Sequence, residues 1–76
     1  MNRRRNPVLR NKIAGSKWTA RHPENREKHF MVLGWVLDEN DRPTDEVELE
    51  AILTNKVRRI HWRDLESVDD WRIGWR

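Results

Sequence analysis

The stretch "HFMVLGWVL", residues 29–37, decides how the rest of the chain is read. Its β-branched and aromatic residues predict a strand, but its apolar residues do not alternate. Phe30, Val32 and Val36 fall on one face, and Met31, Leu33, Trp35 and Leu37 on the other. A strand that is apolar on both sides is either central to a layered fold or bent and shared between two halves of a barrel. Gly34 at its middle favours the bend, because glycine inside a strand often marks a bulge or a barrel corner. Little of the chain reads as helix that might cover a flat sheet, so a barrel is the expected solution.

The flanking segments supply its partners. "SKWTA" (16–20) alternates, with Trp18 and Ala20 on one face and Lys17 and Thr19 on the other, and predicts a short strand. "RHPENREK" (21–28) reads as a loop, with Pro23 and Asn25 as turn formers. "DENDRPTD" (38–45) is a polar turn. "EVELEAILT" (46–54) is a half-buried strand, turning Val47, Leu49, Ala51 and Leu53 inward and Glu46, Glu48 and Glu50 outward. A tight turn at "NK" leads into "VRRIHW" (57–62), where Ile60 and Trp62 share one face and Arg59 and His61 the other. Beyond it, Ser67 followed by Asp69 and Asp70 resembles a helix start, and Gly74 a stop. That predicts a short C-terminal helical turn with Trp71 and Trp75 on one side. The expected fold is all-β: a small SH3-like barrel of four to five antiparallel strands, whose closure also disposes of exposed edges.

Length and composition set the limits. The chain has 76 residues, one domain at most, and a domain of this size buries only about 60% of its unfolded surface. Cysteine is absent, which excludes disulfides and thiolate metal sites. Hydrophobic residues make up 36% and charged residues 38%, so the five tryptophans must carry much of the core; each ring can bury about 200 Å². No segment approaches the roughly 20 apolar residues of a membrane span, and the basic start lacks a signal-peptide core. A cytoplasmic location is the expectation. Residues 1–28 hold nine Lys/Arg against two Glu, whereas residues 38–50 hold seven acids against Arg42. This polarity suits an anionic partner at one pole. Residues 1–15, with "NRRRN", Pro7 and Gly15, read as a flexible basic arm, which Val8, Leu9 and Ile13 can tack onto the body; residues 16–76 read as the tryptophan-rich domain.

Five segments in order, "SKWTA", "NREKHF", "VELEAILT", "WRDL" and "WRIGW", resemble a family of small tryptophan-rich bacterial proteins of unknown function. The resemblance runs from Ser16 to Trp75 and omits the basic arm. It implies that the tryptophan-rich body is a unit in its own right, and it implies no activity, cofactor or ligand.

The residues themselves offer little for catalysis. There is no cysteine nucleophile and no Gly-x-Ser-x-Gly elbow, and "GSK" lacks the spacing of a phosphate loop. His22, His29 and His61 have no metal-ligand spacing. The expectation is a non-enzymatic protein with no cofactor and no metal. The positive signal is interleaving: "KWTARH", "RRIHWR" and "WRIGWR" each place a cation within two residues of tryptophan. Cations meet phosphates and flat rings meet unpaired bases, the combination that single-stranded RNA or DNA binding requires. The opposing reading is that most rings are core and that each neighbouring arginine stem covers a ring edge.

Ring by ring, Trp62 continues the inward series from Ile60 and belongs to the core, and Trp18 is core or half-buried. Trp35 follows the bend and is open to either face. Trp71 and Trp75 either close the barrel mouth or form an exposed pair. Candidate nucleic-acid contacts are therefore Trp35, Trp71 and Trp75 with Lys17, Arg59 and Arg63, and Arg3, Arg4 and Arg5 as an electrostatic arm. The leading expectation is a single-stranded RNA- or DNA-binding module of the ribosome or transcription machinery. The alternative is a protein-interaction adaptor or small structural subunit, with Glu46, Glu48 and Glu50 docking a basic partner.

Overall fold

A computed structural model of the chain describes residues 4–76. Five strands, β1 (Lys17–Glu24), β2 (Glu27–Leu37), β3 (Pro43–Ala51), β4 (Val57–His61) and β5 (Trp71–Ile73), form one antiparallel sheet in the order β4-β3-β2-β1-β5. Two 3-10 turns complete it, Arg10–Lys12 before β1 and Trp62–Glu66 between β4 and β5. The fold is all-β, as expected. The sheet is open: β4 and β5 are its edges and share no backbone ladder.

Its curvature is nonetheless strong. Laid flat, β4 and β5 would stand four strand spacings apart, about 19 Å. Yet the guanidinium of Arg58 on β4 lies 4.6 Å from the centre of the Phe30 ring and 5.8 Å from that of Trp71 on β5. Only a coiled sheet brings these edges within one side chain of each other. The two edges meet through side chains where the expected barrel would have closed by hydrogen bonds.

Gly34 contributes to the coil as anticipated. Val32 pairs with Leu49 but Gly34 with Glu48, so Leu33 is an extra residue and the strand bulges there. The bulge reverses the alternation. Phe30 and Val32 point into the core, and beyond the bulge Trp35, opposite Val47, packs against that same core while Leu33 and Leu37 are exposed.

The core unites Trp18, Ala20, Phe30, Val32, Val47, Leu49 and Ala51 from the sheet with Trp71 from β5 and Trp62 and Leu65 from the second 3-10 turn. Ile13, only 2% exposed, completes it from the N-terminal segment. That segment, read from sequence as a flexible arm that Val8, Leu9 and Ile13 can tack onto the body, is laid against it from Arg5 onward. Arg5 bridges to Ser67, and the Asn6 amide donates to the carbonyls of Leu65 and Trp71, both at 2.9 Å. Trp18 Nε1–H donates to the Ser16 hydroxyl (2.8 Å), which donates to the Ile13 carbonyl (2.6 Å), tying the strap to β1.

Three local expectations are corrected. Residues 21–28 are not a loop: β1 runs to Glu24 and β2 starts at Glu27, joined by a two-residue turn with Asn25 and Arg26 at φ 54° and 65°. Both values lie in the left-handed region that a tight hairpin demands. Leu53 is 66% exposed, because β3 ends at Ala51. Residues 67–74 form no helix; the Ser67 hydroxyl does bond Asp70 (2.8 Å), but the chain turns and continues as β5 along β1. The helical turn lies earlier, over Trp62–Glu66.

Candidate functional site

Pairing fixes which side chains share the outer face of the sheet. Arg72, Thr19 and His29 stand abreast across β5, β1 and β2. Next to them Lys17, Met31, Glu50 and Val57 form a second row across β1 to β4. Glu48 opposes Arg59, and Glu46 opposes His61. The outer face is thus basic over β5 and β1 and acidic along β3.

Trp75 lies on the basic half. Gly74, at φ +80°, adopts a conformation that favours glycine and turns the chain out of β5. The indole Nε1–H then donates to the Phe30 carbonyl (3.0 Å), and the ring packs 6.1 Å from His29. Lys17 Nζ stands 4.7 Å from its centre. The residue remains 40% exposed, the most accessible ring placement one sees beside a core that buries Trp18, Trp62 and Trp71. Arg76 folds back so that its N–H donates to the Thr19 hydroxyl (2.9 Å), which itself donates to the Gly74 carbonyl (2.7 Å).

A groove of about 370 Å³ is lined by Thr19, Ala20, Arg21, Pro23, Lys28, Arg72 and Arg76, the residue after Trp75. Four of these seven are cations and none is an acid, and among the described residues none of the four is ion-paired. Arg21 also borders a broader hollow shared with Arg4, Arg5 and His22, where Asp69 is the one acid. A continuous basic band therefore runs from the strap across the ends of β1 and β5 to Trp75.

The residues expected from sequence divide across the molecule. Lys17 and Trp75 come together, and Arg4 and Arg5 lie at the far end of the band; Arg3 lies outside the described residues. Trp71 is not paired with Trp75. It is 7% exposed, edge-on to Phe30 at 5.3 Å, because a strand places it on the core face. Trp35 stacks edge-on against Trp62 at 6.4 Å and faces the core. Arg59 is held by Glu48 at 3.6 Å and Arg63 by Glu66 at 3.9 Å. Arg63 also covers the Trp62 ring, 4.9 Å from its centre. Glu50 accepts from the Asn55 amide (3.2 Å), so part of the acidic row is already engaged.

Sequence reading missed Arg21, Lys28, Arg72 and Arg76 because the groove forms only when β5 pairs with β1. It also missed the inward Arg58, although the alternation that turned Ile60 inward pointed to residue 58 as well. Among the described residues no group of three or more His, Asp or Glu is placed to hold a metal ion, and no helix is long and apolar enough to cross a membrane.

Comparison with known proteins gives one match: residues 16–76 fit the family described as Tryptophan-rich protein (DUF2389). No curated protein and no solved structure matches the chain.

Proposed function

The chain belongs to this family of tryptophan-rich proteins, and we propose that it is a binding module for single-stranded RNA or DNA. The observation that carries the reading is the exposed Trp75 ring beside four cations without an acidic neighbour in their groove. In this reading a base stacks on Trp75 while Arg21, Lys28, Arg72 and Arg76 take the adjoining phosphates. Lys17 now occupies the ring, a contact worth about 0.5–1 kcal/mol at an exposed site. Stacking a base contributes about 1–3 kcal/mol. The exchange is favourable if Lys17 swings from the ring to a phosphate, which its flexible stem permits. The acidic strand β3 confines the nucleic acid to the β1–β5 half by repulsion at a range within the Debye length of about 8–10 Å.

The architecture fits the same reading. The strand order, the bulged β2 and the 3-10 turn before β5 support reading the open sheet as an SH3-like barrel left unclosed between β4 and β5. Small β-barrels commonly present such an outer surface to single strands.

Titration of the protein with a fluorescein-labelled uridine oligonucleotide, read by anisotropy and by tryptophan emission at several salt concentrations, tests the proposal. Five phosphate contacts, Lys17 included, predict a slope of log K against log salt of about −3.5. Absence of binding at the lowest salt would overturn it. Retention of a protein partner after nuclease treatment, with no oligonucleotide binding, would favour an adaptor instead.

A further inference from the structure

A further hollow, which shares Lys17 with the Trp75 site, lies between the N-terminal strap and the sheet, with a volume of about 380 Å³. That falls in the range of small-molecule sites, about 300–1,000 Å³. Its walls are apolar. The strap contributes Val8, Leu9 and Ile13, and the sheet contributes Trp18 and Ile73. Leu9 and Ile73 are 59% and 43% exposed, so apolar surface remains open to solvent at the mouth. The charged residues of the lining are Lys12 and Lys17, and no acid accompanies them.

The hollow is held open by bonds already made. The indole of Trp18, the hydroxyl of Ser16 and the carbonyl of Ile13 form a chain across its base, and Ile13 is anchored in the core. Gly15 N–H donates to the Val32 carbonyl (2.7 Å) and Ser16 N–H to the Ile13 carbonyl (3.0 Å), which fixes the turn between strap and β1. A ligand would therefore meet a preformed wall and spend little on ordering it.

We infer that this hollow binds an apolar carboxylate, the hydrocarbon body against Val8, Leu9, Trp18 and Ile73 and the acid on the exposed Lys12 ammonium, Lys17 Nζ being seated on the Trp75 ring. The two-sided chemistry decides the class. A carboxylate gains an ion pair with Lys12 that a neutral hydrocarbon cannot make, and a hydrophilic anion would leave the walls wet. The strap wall lies outside residues 16–76, the part matched to the family.

Decanoate, added to the ¹⁵N-labelled full chain below its micellar concentration, provides the test, with decanol as the uncharged counterpart. The expected result is saturable amide shifts at Leu9, Ile13, Gly15 and Gly74 and at the Trp18 indole. Decanol should bind about fivefold more weakly, the value of one exposed ion pair. Lys12→Glu, an exposed substitution away from the core, should weaken decanoate about tenfold or more through like-charge repulsion. Lys12→Glu should leave decanol unchanged. Shifts that are absent, unsaturable or spread over the sheet would overturn the site. Equal binding of decanol and decanoate, or of decanoate to the variant and the parent, would overturn the assigned chemistry.

Discussion

Three places in this molecule set cations against tryptophan, and two of them, besides Arg58 over Trp71, differ in what surrounds the cation. At one, Trp35 and Trp62 meet edge-on beneath Arg10, whose guanidinium lies 4.7 and 5.3 Å from the two ring centres, while Arg63 covers Trp62. Each of those arginines is also paired with an acid, Arg10 with Asp45 at 3.7 Å and Arg63 with Glu66. At the other, Lys17 lies over Trp75, and among the described residues neither it nor the neighbouring groove cations has an acid partner. The same pattern of residues thus closes a core in one place and presents an unsatisfied surface in the other. Between these two places the acid makes the difference; at the third, Arg58 has no acid partner among the described residues and is set apart by the burial of the Trp71 ring it covers.

The largest effect should come from attacking the closed cluster. Trp62→Ala removes a ring that is 7% exposed and should cost about 3–5 kcal/mol, read by urea denaturation. If the loss is under about 1 kcal/mol, the cluster is not part of the core and the contrast fails. Ile13→Ala extends the question to the strap. A cost of about 2–4 kcal/mol, measured the same way, is expected if the N-terminal segment is integral to the fold. A free arm would show none.

On the open side the sign of the experiment changes. Trp75→Ala should cost about 1 kcal/mol of stability through the lost bond to the Phe30 carbonyl, well below Trp62→Ala, and lower oligonucleotide affinity by about 1–3 kcal/mol, seen in the anisotropy titration. A stability loss as large as that of Trp62→Ala would place Trp75 with the structural rings. Arg26 offers a finer probe, because it holds φ 65° in the hairpin turn and lines a hollow with Lys28 and His29. Arg26→Gly should stabilise the protein by about 1 kcal/mol, raising the midpoint in calorimetry by roughly 4–8 °C. The smallest effect belongs to Asp45→Asn. Both partners of that ion pair are largely solvent-exposed, so a change of about 0.3 kcal/mol is expected, resolvable only as a double-mutant cycle with Arg10→Gln.

These contrasts also show which parts of the molecule a reader of the sequence can reach. The inward faces of β3 and β4 follow from strict alternation, and Val47, Leu49, Ala51 and Ile60 were placed correctly because every second residue says the same thing. Gly34 announced a bend, but the direction in which Trp35 leaves it depends on whether one residue or none is inserted, and that is settled by pairing with β3. The C-terminal stretch misled for a different reason. Ser67 and Asp70 do make the local bond that a helix start would make, yet from Trp71 onward the chain gains more by pairing with β1 than by continuing a turn. Long-range pairing also assembles Arg21, Lys28, Arg72 and Arg76, which are scattered along the chain and unremarkable one at a time. Lys17 and Trp75 were foreseen; Arg72 and Arg76 also flank tryptophan in "WRIGWR", but only the pairing of β5 with β1 shows which face they take.

The Asn6 side chain has a consequence for time rather than for architecture. It bonds residues 59 and 65 positions away along the chain, so these contacts cannot form until β5 has been synthesised and laid on β1. Closing so long a loop adds little to the free-energy cost, about 0.6 kcal/mol for each doubling of length, but contacts of such sequence separation slow folding. We expect β2, β3 and β4 to assemble first and the strap to dock last, completing the core with Ile13 in the final step. Pulse-labelled hydrogen exchange should then find the Asn6 amide, which donates to the Glu66 carbonyl at 3.0 Å, protected after those of β3. Protection at the same moment would mean that the newborn chain has no such interval with its core uncovered.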